Sequence, residues 1–402
     1  MPVKMTGPSG RAIPFQLIQT EHTAMPEAAW RKRAVVPVEL PPLGWGVYTM
    51  GYVEGAKAPK VASGVNATKG LISNGVFAVR AKVGGTIAVA RKGRPFLGRR
   101  GLHVQLVEDP WGSWGAMDEC EQSLCLSTER ERWRVARVIV REGGPLRAAM
   151  WVELRTRNSR LELTISLSKD RDAIDVAGRL HLDERSARVK LVLPPVAKVK
   201  KPTATFDVPG AAVERGPGGE VPGGRWVRAR HVSLASDGIY NFDLADDGTL
   251  RATVARASRY ADDIVSAPAD RPWLPAVDSG ELRFNFVIAP SGAEIAAMAE
   301  ELERPPVAIL SAAHAGERPR TGSLAALAPA RAMELLALKP AEAGPGVVVR
   351  ARNVSGRPVT PVFTWMGQDV RLTEVPAGAI RTWVIERGER RLVDIAEELI
   401  PG

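Results

Sequence analysis

Trp133-Arg-Val-Ala-Arg-Val-Ile139 and Arg160-Leu-Glu-Leu-Thr-Ile-Ser-Leu167 set apolar against polar residues in alternation, the second strictly so. Successive side chains of an extended strand point to opposite faces, so this pattern buries one face and wets the other. A helix would instead space its apolar residues three and four apart. Ala148 to Arg155, Ala187 to Leu193 and Gly248 to Arg256 repeat the pattern, and Arg157-Asn158-Ser159, Ser236-Asp237-Gly238 and Asp246-Asp247-Gly248 supply turns between strands. Short strands at spacings of about 10 to 15 residues predict an all-β fold built from sandwiches.

One helix is expected. Ser291 and Glu294 have capping-box spacing, Ile295, Met298 and Leu302 form a helical stripe, and Pro305-Pro306 ends it. Leu324 to Leu338 is a second, weaker helix candidate from its Ala and Leu content, broken by Pro329. Ala312 to Gly322 and Pro340 to Gly346 are rich in Pro, Gly and Ala and suggest a linker, after which Val347 to Ile385 alternates again as a small β unit. At the other end, Ala12 to Ile18, Ala34 to Leu40 and Gly46 to Val53 are strand-like. Three strands are near the minimum for a free-standing sheet, so this unit is expected to lack partner strands. Phe15, Leu17, Val36, Val38 and Val47 would then lack part of their cover, and the edge would invite association with another chain.

The 402 residues can bury a large core, and 45% hydrophobic with 25% charged residues is ordinary for a globular protein. No apolar run reaches the roughly 18 to 20 residues that span a bilayer. The opening residues contain no apolar core of a secretory signal, so cytoplasmic residence is the expectation. Cys120 and Cys125 are too few for a disulfide framework and lack a zinc-binding pattern. The net charge of +10 raises nucleic acid as a partner, but the basic residues are not clustered. Lys198-Val-Lys200-Lys201 stops at Pro202, and most arginines alternate with apolar residues as solvent-side strand positions do, so neither nucleic acid nor membrane is expected.

Four patches in order resemble glycoside hydrolase family 38. Gly10-Arg-Ala-Ile-Pro-Phe-Gln16 precedes Val38-Glu-Leu-Pro-Pro-Leu-Gly-Trp-Gly-Val-Tyr48, then comes Ile72-Ser-Asn-Gly-Val-Phe-Ala-Val79. Phe206-Asp-Val-Pro209 leads on to Glu214-Arg215, Glu220-Val-Pro222, Trp226-Val227 and Asp237-Gly-Ile-Tyr240, and Val347-Val-Val-Arg350 with Ile380-Arg-Thr-Trp383 close the series. The resemblance runs from about residue 10 to 385 and is to the C-terminal part of the family's α-mannosidases. It implies a galactose-mutarotase-like large β-sandwich, a supersandwich, flanked by small β-sandwich units with few helices. The implied organisation is a partial small β domain at 1–60, the large sandwich at 61–310, a linker at 311–345 and a small β unit at 346–402.

The family is one of retaining, zinc-dependent enzymes, and retaining hydrolysis needs two carboxylates about 5 Å apart. The resemblance places both carboxylates and the zinc ligands in an N-terminal domain that nothing in this sequence matches. No catalytic residue, metal ligand or cofactor is therefore assigned to this chain. His22, His103, His181, His231 and His314 are scattered singly, without metal-ligand spacing.

Two stretches are candidates for contact with sugar. In the Glu108 to Asp118 loop, Trp111 and Trp114 offer flat faces for a pyranose while Asp109 and Asp118 accept from its hydroxyls. The resemblance places this stretch near a catalytic cleft, although Trp111-Gly112 departs from the family's Trp-Asp. The alternative is two tryptophans plugging a sandwich rim. In the second stretch, Arg256, Arg259, Tyr260 and Asp262, an arginine fork can bridge hydroxyls or hold a carboxylate, while the plain alternative is a salt-bridged surface turn. The two stretches are expected to share one rim of the large sandwich. Three functions follow. On the first, the chain is the non-catalytic half of a family 38-like α-mannosidase, working on mannoside-type glycan with a separately encoded catalytic domain, and the N-terminal β unit is the place for a homo-oligomer partner. Alternatively it is a stand-alone carbohydrate-binding or scaffolding protein. The third reading, an epimerase or lyase, needs a His and carboxylate pair that the sequence does not signal.

Overall fold

A computed structural model describes residues 3–18, 33–55, 62–109, 128–258, 260 and 275–400. The protein is all-β among these residues, with the single helix Ile295–Glu303. It divides into two compact units, Gln16–Val35 with Lys60–Ile309, and Met1–Phe15 with Val36–Pro59 and Leu310–Gly402. The 1–60 and 346–402 segments, separate in the sequence reading, thus share a unit, apart from residues 16–35.

The larger unit is a sandwich. A six-stranded sheet runs in the order Glu129–Arg132, His103–Glu108, Ala187–Leu193, Leu250–Ala257, Asn241–Leu244, Glu220–Pro222. A nine-stranded sheet begins Arg134–Gly143, Arg147–Arg155, Arg160–Ser168, Ile174–Leu182, Gly280–Ala289 and continues through Ser233–Ser236, Trp226–Ala229, Ala204–Val208 and Ala211–Arg215. Every pairing in both is antiparallel, which is the geometry that tolerates one wet and one dry face. Arg160–Ser168 alternates half-buried and buried along its whole length, as its sequence predicted. Val104, Leu106, Val189, Leu191 and Phe242 from one sheet and Met150, Leu163, Ile165 and Phe286 from the other fill one core, joined by Ile72, Phe77 and Val79 of a five-stranded sheet. At about 25 cal/mol per Å² of apolar surface, this core is the main stabilising term. Gly178 is fixed by packing, because a Cβ there would stand 2.4 Å from the Phe284 ring on the neighbouring strand.

The helix lies against the outer face of the nine-stranded sheet and buries Ile295 and Ala299 on Ala235, Val287, Ala289 and Trp226. Its stripe is as expected, but its start is not. Glu294 is the capping residue and makes no side-chain cap, so the Ser291–Glu294 capping box does not form. Packing of the apolar face carries this short helix without it.

In the smaller unit, the Leu324–Leu338 helix candidate is instead two strands, Ala325–Ala328 and Met333–Pro340. Helix propensities differ by less than about 1 kcal/mol per residue, and here sheet pairing overrides them. Ala325 and Met333 are buried with Phe363 and Trp383, and the chain turns at Pro329 between the strands. The early strands find partners: Val3–Thr6 pairs with Thr49–Tyr52, and Gly44–Gly46 pairs with Thr321–Ser323. In the larger unit Gln16–Ile18 pairs with Arg33–Val35. Leu17, Val38 and Val47 are nonetheless about half exposed, while Phe15 is buried. Among the described residues no helix is long and apolar enough to cross a membrane.

Candidate functional site: a charged sheet face

Ala187–Leu193 departs from simple alternation, because all seven of its residues are buried. Val189, Leu191 and Leu193 enter the core. Arg188 and Lys190 point the other way and are still almost wholly covered, Lys190 being only 1% exposed. A buried ammonium is tolerated only when carboxylates surround it. Lys190 Nζ lies 2.5 Å from Asp243 Oδ2 and 3.3 Å from Glu220 Oε2. Glu220 also takes Arg188 and the Thr253 hydroxyl, and Asp243 takes Arg251.

The same row contains the two sequence-predicted stretches. Asp109 is fully buried, with its Oδ2 accepting from Arg256 Nε at 2.5 Å and from Arg188 Nε at 3.1 Å. Asp109 and Arg256 are thus brought together as expected. Asp109, however, is turned into the protein and occupied by two guanidinium groups, so it positions arginines and is not itself open to a ligand. Arg256 keeps about a quarter of its side chain exposed, and Tyr260 is exposed. Trp111, Trp114, Asp118, Arg259 and Asp262 lie outside the described residues.

The contacts form one line across the sheet: Arg256, Asp109, Arg188, Glu220, Lys190, Asp243, Arg251. Among the described residues, four cations of this line face three carboxylates. Burial alone would raise the Glu220 carboxyl, but Lys190 and Arg188 together with the Thr253 hydrogen bond hold it below its ordinary range. Burial likewise works against charge on Arg188, and the carboxylates of Glu220 and Asp109 more than compensate. At the Arg251 end the line opens into a basin of about 1010 Å³, lined by Arg100, His103, Gln105, Lys198, Asp246 and Arg251 among others. Charged forks and an amide around an open basin suit a polyhydroxylated ligand.

Alternation alone did not reveal Arg188, Lys190 or Asp243, because basic residues on every second position of a strand read as solvent-facing. Among the described residues no three His, Cys, Asp or Glu converge as a metal would require. The carboxylates of the line are taken by cations and His103 Nδ1 faces Gly101 O at 3.1 Å, so this donor set does not fit a zinc ion.

Residues 72–264, which contain this face, match the glycosyl hydrolases family 38 C-terminal domain. Over these residues the chain is similar to a family 38 C-terminal domain. No curated protein sequence matches it. Among solved structures it is similar to a protein of glycosyl hydrolase family 38 from Enterococcus faecalis, at 14% identity and a TM-score of 0.75. It is also similar to an α-mannosidase from Enterococcus faecalis V583, at 15% identity and a TM-score of 0.74. Each match covers 96% of this chain and only 52% or 51% of the other. The chain therefore spans about half the length of these relatives, and at such identities the likeness is one of fold.

The buried His103 and the half-buried His231 give the larger unit a pH dependence of stability. Burial lowers both His103 and His231 below the ordinary 6.5, despite hydrogen bonds to Gly101 O and Leu193 O. A folded-state value below the unfolded one means that the unfolded chain takes up protons first as pH falls. Stability from the neutral rings is thus complete above about pH 6.5 and is lost progressively below it. The melting temperature is expected to fall between about pH 7.5 and pH 5.5, and His231→Gln to flatten that fall. An unchanged slope in the variant would rule out the His231 contribution.

Proposed function

We propose that this chain is the non-catalytic, carbohydrate-facing half of a family 38-type α-mannosidase, working on mannoside-type glycan with a separate catalytic domain. The observation that supports it is the charged face of the six-stranded sheet, which lies within the matched residues and runs from the partly exposed Arg256 to an open basin. Buried carboxylates hold the arginines from behind, so their forks are pre-positioned and lose little freedom on meeting hydroxyls. Zinc and the reacting carboxylates would come from the partner domain.

The test is calorimetric titration of the chain with an α-linked mannotriose, followed by assay of an aryl α-mannoside with and without a separately produced family 38 catalytic domain. Saturable binding is expected, weakened about tenfold by Arg256→Gln or Arg100→Ala, since a hydrogen bond to a charged group contributes about 1.5 kcal/mol or more. Turnover should require the added domain. Turnover by the chain alone would refute the non-catalytic reading. Mannotriose binding with no response to an added catalytic domain would favour the second reading, a stand-alone carbohydrate-binding protein, which the openness of the basin within this unit supports.

A further inference from the structure

The opposite sheet of the sandwich carries a different arrangement on its outer face. Trp151 on Arg147–Arg155 stands directly across from Ile139 on Arg134–Gly143, and Arg137 and Arg141 flank that position on the same strand. Their guanidinium carbons lie 5.9 and 5.7 Å from the indole centroid. Of the other arginines on this face, Arg147 pairs with Glu142, Arg155 with Glu153, Arg160 with Glu162 and Arg179 with Glu281. Arg137, directly across from Glu153, and Arg141, next to Glu142, are exposed and form no ion pair among the described residues. Beside them lies a trough of about 680 Å³, walled by Trp151, Arg141 and Leu302 of the helix and floored by the short side chains of Ala149, Ser166 and Ala177. Thr164, Ser168 and Asn285 also line it with hydroxyl and amide groups, and Arg33, Arg147, Glu142 and Asp175 with charged ones.

We infer that this trough is a second saccharide site, selective for acidic sugars, in which Trp151 stacks on a pyranose ring while Arg137 and Arg141 hold its carboxylate. Each element of the pattern has a physical reason. An indole face matches the apolar C–H face of a pyranose. A guanidinium fork matches a carboxylate bidentately, and two exposed cations that form no ion pair among the described residues leave a local positive potential that an anion would relieve. Small floor residues let a ring approach the sheet, and hydroxyl and amide groups meet its remaining hydroxyls. Asp175, at the trough's edge, is held above the ordinary carboxylate range by burial, against the opposing Arg171, so less negative charge repels the ligand there. The site is on the other sheet from the Arg256 face and does not depend on the proposed role of that face.

Calorimetric titration of the whole chain with tetragalacturonate tests the proposal. Saturable binding near one to one is expected, weakened at least about tenfold by the double change Arg137→Gln and Arg141→Gln and suppressed by added salt. Trp151→Ala should abolish binding. Trp151→Phe, which keeps an aromatic face if alanine unsettles the sheet, should retain part of it. Arg256→Gln should leave tetragalacturonate binding unchanged, whatever it does to mannotriose. Absence of saturable binding, or equal affinity in the double variant, would overturn the inference. So would loss of binding in Arg256→Gln, which would place the ligand on the six-stranded sheet. Tighter binding of octathymidylate with the same residue dependence would overturn it in favour of single-stranded nucleic acid.

Discussion

Asp109→Ala is expected to destabilise the larger unit by about 3 kcal/mol, because removing one member of a buried ion pair strands the charges that remain. Arg188 would keep Glu220, but its Nε and that of Arg256 would lose the acceptor they share. Asp109→Asn should cost less, since the amide keeps one acceptor oxygen in place. Urea unfolding of the three proteins measures this, read from the midpoint at constant slope. A loss below about 1 kcal/mol for alanine, the range of exposed pairs, would mean that the line of charges is solvated and not a buried scaffold. Arg256→Gln supplies the contrast. It leaves Arg188 on Asp109 and should reduce mannotriose affinity more than it reduces stability, whereas Asp109→Ala should reduce both.

How much of this was legible beforehand follows from what alternation encodes. Arg160 to Leu167 has one solvated and one core face, and the strand runs as read. Ala187 to Leu193 gave the right strand but the wrong environment. Arg188 and Lys190 occupy positions indistinguishable in sequence from solvent-facing ones, and only their three-dimensional neighbours, Glu220 from over 30 residues away and Asp243 from over 50, turn that face into a buried network. Asp109 and Arg256 were placed together through the family resemblance, but nothing in the sequence indicated that Asp109 would face inward. The Leu324–Leu338 segment failed for a different reason. Ala and Leu favour a helix locally, yet Ala325 and Met333 gain more by entering the Trp383 core.

Phe242→Ala is the second large change, and it joins core to site. Phe242 and Asp243 are consecutive on Asn241–Leu244 and so face opposite sides of the six-stranded sheet. Phe242 enters the core beside Phe206, with ring centroids 6.1 Å apart, while Asp243 holds Lys190 and Arg251 on the charged face. The Phe242 ring also packs against backbone, since a Cβ on Gly223 would fall 2.8 Å from it. Removing a fully buried phenyl group costs about 3–5 kcal/mol through lost transfer energy and an unfilled cavity. Phe242→Leu refills much of that volume and should cost less than half as much. The strand that loses its anchor also carries Asp243, so Phe242→Ala should weaken mannotriose binding even under conditions where the variant is folded, and Phe242→Leu should restore it. If affinity in folded Phe242→Ala matched the parent protein, the carboxylates behind the charged face would not be positioned by the core beneath them. Arg251 would then not be pre-positioned by its carboxylate, and the exposed groups of the basin would account for binding on their own.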